Sequence, residues 1–263
     1  MNIIIAFCLF LQSSPDEAIS KMKMAIDKRD LGALIDLSPD PNMGKVMTQD
    51  LINRWIKDLQ QDTHGNLTTV LEAIPTLGPI SPGIENIEMR FRVPLKEGTV
   101  SAEVQFQIVQ EEWKIDELEF DWKELRTGVN QEIAKRSPGD VVKAIHQAAS
   151  KEDFENILPL LATPLRMSVN TATIRGLIQK EEARLNGKWL ETINRFPNVT
   201  ESQKSLSTLS MEVRLTVNGK GVTLSASMMK EKGEWKLSAI ETLLDGDQED
   251  LEEEPAPLEK DPR

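Results

Sequence analysis

The chain has 263 residues, 39% of them apolar and 28% charged, so one large domain or two ordinary ones can bury their own cores without metal or disulfide staples. Its formal net charge of −12 works against nucleic acid and anionic membrane as partners, since both would be repelled by the protein's field. The single cysteine, Cys8, excludes an intramolecular disulfide.

The chain opens on an apolar run, IIIAFCLFL from Ile3 to Leu11, that is too short to span a bilayer but fits the hydrophobic region of a secretory signal, with cleavage near Gln12, Ser13 or Ser14. Only Met1 and Asn2 precede it, and no Lys or Arg occurs before Lys21. A lipoprotein signal would want a small residue where Phe7 precedes Cys8. The other reading of the run is a buried strand. Residues 1–13 are therefore expected to be a leader or signal peptide and the protein to be exported, to a periplasm, cell envelope or extracellular space.

From Ser14 the chain repeats itself. SPDEAISKMKMAIDKRD aligns without gaps on SPGDVVKAIHQAASKED from Ser137, an offset of 123, and the later phrases EEWKIDELE from Glu111 and GEWKLSAIE from Gly233 align at an offset of 122. So small a change over a domain length predicts tandem duplication of a whole fold. Each copy begins with a helix start: Ser14, Pro15 and Glu17, expected as a full capping box, against Ser137, Pro138 and Asp140. Ala18, Ile19, Met22, Ala25 and Ile26, matched by Val141, Val142, Ile145, Ala148 and Ala149, form one face of that helix. DLGALIDL and DFENILPL then predict a short second helix capped by Asp30 and Asp153. A third helix starts near Thr48 and Thr171. A fourth carries Leu67, Val70, Leu71 and Ile74, or Trp189, Ile193 and Phe196.

The apolar period then changes to two. Met89, Phe91, Val93 and Leu95, and Val100, Ala102, Val104, Phe106 and Ile108, predict paired strands. In the second copy these are Met211, Val213, Leu215 and Val217, and Val222, Leu224, Ala226 and Met228, joined through Asn218-Gly219. The Trp-Lys phrases close each copy, with Trp113 and Trp235 inward and Lys114 and Lys236 outward. The expected organisation is an α+β fold class of two tandem repeats, residues 14–120 and 137–244, each with N-terminal helices followed by a curved antiparallel sheet. A linker covers 121–136 and an acidic tail 245–263. The first repeat has 11 basic against 19 acidic residues, the second 14 against 12, and the tail two against nine.

On the Ser-Pro helix start, the KRDLGALIDL and KEDFENILPL segments and the closing EEWKIDEL and GEWKLSAI strands, each copy resembles the nuclear transport factor 2-like, or cystatin-like, superfamily. The resemblance implies a curved sheet wrapped around an N-terminal helix as a cone. It does not fix a function, because that superfamily hosts isomerases, dehydratases, transport adaptors and other domains.

No residue set has the types and spacing of a catalytic site. There is no tyrosine, and the two histidines, His64 at a helix end and His146 on an outward helical position, do not match in the repeat. Neither zinc spacing, phosphate loop nor nucleophile elbow occurs, so no cofactor or metal is expected. Asn66 and Asn198 begin N-x-T sequons. Trp113 and Trp235 read as core anchors before pocket walls, and Met211, Met228 and Met229 as fillers of irregular space. An enzyme of isomerase or dehydratase type would need an inward carboxylate. Yet Phe91, Val93, Val104, Phe106, Val213, Leu215, Leu224 and Ala226 are apolar, while Glu88 and Glu103 take the opposite phase. The reading is a non-enzymatic binding or interaction protein for a small apolar ligand or a protein partner, its two units able to pack as a pseudo-dimer.

Overall fold

The computed structural model describes residues 14–124, 133–202, 204–217 and 219–245, the side chain of Glu124 excepted. The expected leader, half of the linker, Gln203, Asn218 and the tail beyond Asp245 lie outside the described residues. Helix α1 (Pro15–Lys28) begins where Ser14 Oγ accepts the Glu17 N–H at 3.1 Å, with Pro15 in the first position, and buries the predicted stripe from Ala18 to Ile26. Helix α6 (Pro138–Ser150) begins in the same way, but the capping box is complete here and not in α1. Glu17 turns away to Lys21 at 2.7 Å, whereas Ala144 stands where Lys21 would be and leaves Asp140 to accept the Ser137 N–H at 3.1 Å.

Asp30 caps α2 (Leu31–Leu37) as expected, its Oδ1 accepting the Ala33 N–H at 3.1 Å. Its counterpart breaks the expectation. The chain over Phe154–Asn156 and Leu158–Leu160 forms two 3₁₀ turns, because Pro159 has no N–H to give and disfavours α conformation in the residue before it. Asp153 caps neither turn and instead accepts the Asn156 side-chain amide at 2.5 Å. Short α3 (Met43–Val46) leads to α4 (Gln49–Asp62), capped by Thr48, and then α5 (Leu67–Ala73). In the second half α7 (Thr163–Ser168), α8 (Thr171–Arg184) and α9 (Trp189–Asn194) follow in the same order.

The long strands β2 (Ile84–Pro94), β3 (Gly98–Val109) and β4 (Glu112–Glu124), and β6 (Thr208–Val217), β7 (Lys220–Glu231) and β8 (Glu234–Leu244), form one antiparallel sheet in the order β4-β3-β2-β6-β7-β8. β4 continues four residues beyond Phe120, so the segment expected as linker starts as strand. Short β1 (Thr76–Leu77) and β5 (Val199–Thr200) pair separately. β2 and β6 join edge to edge about Met89↔Met211, flanked by Ile87↔Val213 and Phe91↔Leu209. The match of apolar faces fixes this register, since a one-residue slip would turn every buried side chain of one strand to solvent. The join also removes two sheet edges that would otherwise stand open. Both halves consequently put their helices on the same face of the sheet, over one continuous apolar core.

The repeated Trp-Lys phrase has a structural explanation. Trp113 and Trp235 are buried, and Lys114 and Lys236 reach over the sheet edge to tie down the preceding helical segment: Nζ donates to the Asp36 carbonyl at 2.8 Å in one half and to the Pro159 carbonyl at 2.9 Å in the other. Each lysine is held by a carboxylate two residues before it, Glu112 or Glu234, and both acids are pulled below the ordinary carboxylate range by that hydrogen bond. One bulge recurs in each half, opposite Gln105/Phe106 in β4 and opposite Ser227/Met228 in β8. A bulge of this kind bends the strand and increases its local twist.

Candidate ligand-binding grooves

The bulged edge strand and the helices packed beside it enclose an apolar groove in each half, at matched positions. The first, of about 680 Å³, runs between α4 and the edge of β4, walled by Met22, Leu37, Met47, Ile52, Trp55 and Leu118. The second, of about 350 Å³, runs between α8 and the edge of β8, walled by Ile145, Leu161, Ile174, Ile178, Trp189 and Ile240. Leu51 and Ile174, Trp55 and Ile178, and Leu118 and Ile240 are pairs in the sequence repeat. Large apolar side chains stand exposed at both rims, Val46 at 62% and Leu51 at 40% in the first half, Leu177 at 53% in the second. Exposed apolar side chains beside a preformed apolar cleft are the features that docking sites for apolar groups present.

The two grooves differ in how they are closed. In the second, the Ala162 N–H donates to the Leu237 carbonyl at 2.7 Å, making a parallel bridge of Leu161 to Leu237 on the outer edge of β8. Arg184 pairs with Glu181 at 2.6 Å and bonds the Thr242 carbonyl, while the Trp189 indole N–H donates to Thr242 Oγ1 at 3.1 Å. In the first half Pro39 occupies the place of Ala162 and Gln61 that of Arg184, so neither closure forms.

Polar chemistry is concentrated elsewhere. Glu201 and Lys230 form an ion pair at 2.7 Å with side chains only 3% and 1% exposed. Glu201 also accepts the backbone N–H groups of Ala134 and Leu206, at 2.9 and 2.8 Å, and the Trp235 indole N–H at 3.2 Å. Lys230 Nζ donates to Ser205 Oγ at 2.8 Å and lies 5.1 Å from the Trp235 ring centroid. A buried carboxylate is what an enzyme of this fold would need, but four donors already occupy this one and it borders neither groove. The eight inward strand positions from Phe91 to Ala226 are apolar and at most 1% exposed. Glu88 and Glu103 lie on the sheet's polar face with Arg90, which reaches them at 2.7 and 2.8 Å.

A cleft of about 1060 Å³ beside the hairpin between β7 and β8 is lined by Lys135, Arg136, Lys151, Lys232 and Lys236 against Asp153 and Glu234. His64 stacks on Trp122 at 4.4 Å and 7°, and His146 is half-buried on α6 beside Ser150. They do not meet. Asn198 is held against Gly139 with its Oδ1 buried, a poor position for a glycan. Met211 and Met228 are buried in the core, while Met229 borders a shallow cleft on the polar face. Among the described residues no group of three or more His, Cys, Asp or Glu side chains is arranged to hold a metal ion, and no helix is long and apolar enough to cross a membrane.

These features define an α+β protein whose helices cover one face of an antiparallel sheet, with an apolar groove between helix and edge strand in each half. Two solved structures align over most of the chain. One is a cystatin-like protein from Ruminococcus gnavus ATCC 29149, at 14% identity over 91% of this chain and 95% of that one, with a TM-score of 0.22. The other is an Ntf2 like protein involved in plasmid conjugation, at 12% identity over 85% and 97%, with a TM-score of 0.16. At such scores the fold assignment rests on the elements themselves. No protein-family model and no curated protein matches the sequence.

Proposed function

We propose that the protein is a non-enzymatic, exported binding protein made of two duplicated α+β units of the nuclear transport factor 2-like kind, which holds apolar ligand groups in the grooves beside β4 and β8. The matched position of the two apolar grooves carries this reading. Duplication is supported by the offset of 122 to 123 residues between the halves and by the β2–β6 pairing that relates them about Met89 and Met211. Pairing of this kind lets the halves act as a pseudo-dimer with a built-in interface. Export is supported by the apolar run from Ile3 to Leu11. A groove floor free of buried carboxylates favours holding a ligand over transforming it.

Native mass spectrometry of protein purified gently from its source tests both parts. The reading predicts a chain shortened at its N-terminus and carrying an apolar adduct that organic solvent strips away. A full-length chain that neither carries nor takes up an apolar molecule would overturn it.

A further inference from the structure

We infer that the groove of the first half accepts an extended peptide in which apolar residues alternate with Lys or Arg, added as a further strand to the free edge of β4. This rests on the reading of the grooves as binding sites and assigns the ligand class of one of them.

Three observations carry it. First, β4 ends the sheet, and the groove is bordered by five consecutive β4 residues, Ile115, Asp116, Glu117, Leu118 and Glu119. A sheet face would contribute alternate residues, so the groove runs along the strand's edge, where N–H and C=O groups await a partner. Among the described residues, no backbone hydrogen bond from outside the sheet reaches these five.

Second, the other half shows the edge in its covered state. Leu161 makes an isolated parallel bridge to Leu237 at the edge of β8, through the Ala162 N–H bonded to the Leu237 carbonyl. Pro39 replaces the donor Ala162 in the first half, so the chain's own turn leaves the matching place on β4 open for another strand.

Third, the side chains beside that edge prescribe the pattern of the occupant. Ile115 and Leu118 belong to the core side, next to exposed Val46 and Leu51. Glu117 and Glu119 sit cross-strand from Gln105 and Glu103, on the polar face. A strand added to β4 therefore presents alternate residues to an apolar groove and to a row of carboxylates. Asp58, Asp116, Glu117 and Glu119 form no ion pair with any described residue, and Glu117 is held above the ordinary carboxylate range, by desolvation first and then by Glu119, Glu103 and Asp116. Lysine or arginine in the outward phase would relieve this repulsion. In the second half Arg184 already neutralises Glu181, the residue matching Asp58, and Ser238 and Ala239 replace Asp116 and Glu117.

The test uses the full chain and three probes: a nine-residue end-blocked peptide alternating lysine with valine, its glutamate–valine twin, and the neutral fluorophore N-phenyl-1-naphthylamine. Binding is read by calorimetry, and its place by hydrogen exchange of backbone amides. The lysine peptide is expected to bind, to weaken as salt is raised, and to protect amides within Ile115–Glu119 but not those of Leu237–Glu241. The Glu117→Lys/Glu119→Lys protein, altered only on the sheet's polar face, is expected to bind it at least about tenfold more weakly. Equal binding of both peptides, or protection elsewhere, would overturn strand addition. Uptake of the fluorophore without any binding of the lysine peptide would overturn strand addition while leaving the apolar-groove reading intact, and failure of all three probes would sink both.

Discussion

Replacing Glu201 by Ala should be among the most damaging single substitutions outside the apolar core. Glu201 pairs with Lys230 at 3% side-chain exposure, and its two oxygens receive four donors from four places: the segment entering the second half at Ala134, the turn at Leu206, β7 through Lys230 and β8 through Trp235. Truncation removes the carboxylate paired with the Lys230 ammonium, 1% exposed, and breaking a buried pair from one side costs about 3–5 kcal/mol. The two backbone N–H groups and the indole N–H lose acceptors as well, at about 1–3 kcal/mol for each that stays dry. Relaxation and water entry will offset part of that sum, so a loss of about 4–6 kcal/mol is expected, against a total stability of about 5–15 kcal/mol for ordinary domains. Urea unfolding followed by tryptophan fluorescence reads it as a fall in midpoint at constant slope. Because pairing and not charge as such is the argument, Lys230→Met should remove part of the penalty when added to Glu201→Gln, giving a double variant more stable than the sum of the single losses. A loss below about 1 kcal/mol for Glu201→Ala, or strictly additive singles, would refute the reasoning.

Gly139 lies where a Cβ would stand 2.3 Å from Asn198 Oδ1 and 2.6 Å from the Val199 backbone nitrogen, so Gly139→Ala should cost about 1–3 kcal/mol in the same unfolding assay. Gly176, inside α8 with nothing within 4 Å of a Cβ, predicts the reverse: Gly176→Ala should stabilise by about 0.5–1 kcal/mol. Asp140 is held below the usual carboxylate range by its bond to Ser137. Its contribution is present above the unfolded value of about 4 and lost as pH falls through the lower folded value, so the gap between wild type and Asp140→Asn should be constant from about pH 6 to 8 and shrink below about pH 4. Glu117 runs the other way. Its folded value is raised, so its ionised form opposes folding, and Glu117→Gln should be more stable than wild type at pH 7, with the advantage fading as the pH falls through the raised folded value and gone below the ordinary carboxylate value of about 4.3.

Much of the fold was legible because burial imposes a period. The alternation through Met89, Phe91 and Val93, and through Val222, Leu224 and Ala226, reappears as inward residues, and Ser-Pro starts both α1 and α6. Details that depend on competition between neighbours were not. Whether Glu17 or Asp140 completes a capping box depends on Lys21 against Ala144, and Asp153 loses its helix to Pro159 six residues on. The edge-to-edge pairing of β2 with β6 joins strands more than a hundred residues apart, and an apolar pattern states that a face is buried without naming its neighbour. The Glu201–Lys230 pair was hidden because Glu201 lies in the irregular stretch between β5 and β6. Lys230, however, continues the inward phase of Val222, Leu224, Ala226 and Met228, and a charge in that phase was the available sign of a buried partner. The grooves could not be read at all, since they arise from the distance between a helix and a sheet edge.

The central claim is that both grooves bind apolar groups, and titration of the full chain with N-phenyl-1-naphthylamine tests it most directly when wild type is compared with Leu51→Arg and Leu177→Arg. Both side chains are exposed at groove rims, so the substitutions should leave the fold intact while placing a charge at the mouth of one groove each. The account predicts two sites in the wild type, one in each single variant and none in the double. Identical titration curves for the wild type and the double variant would contradict it.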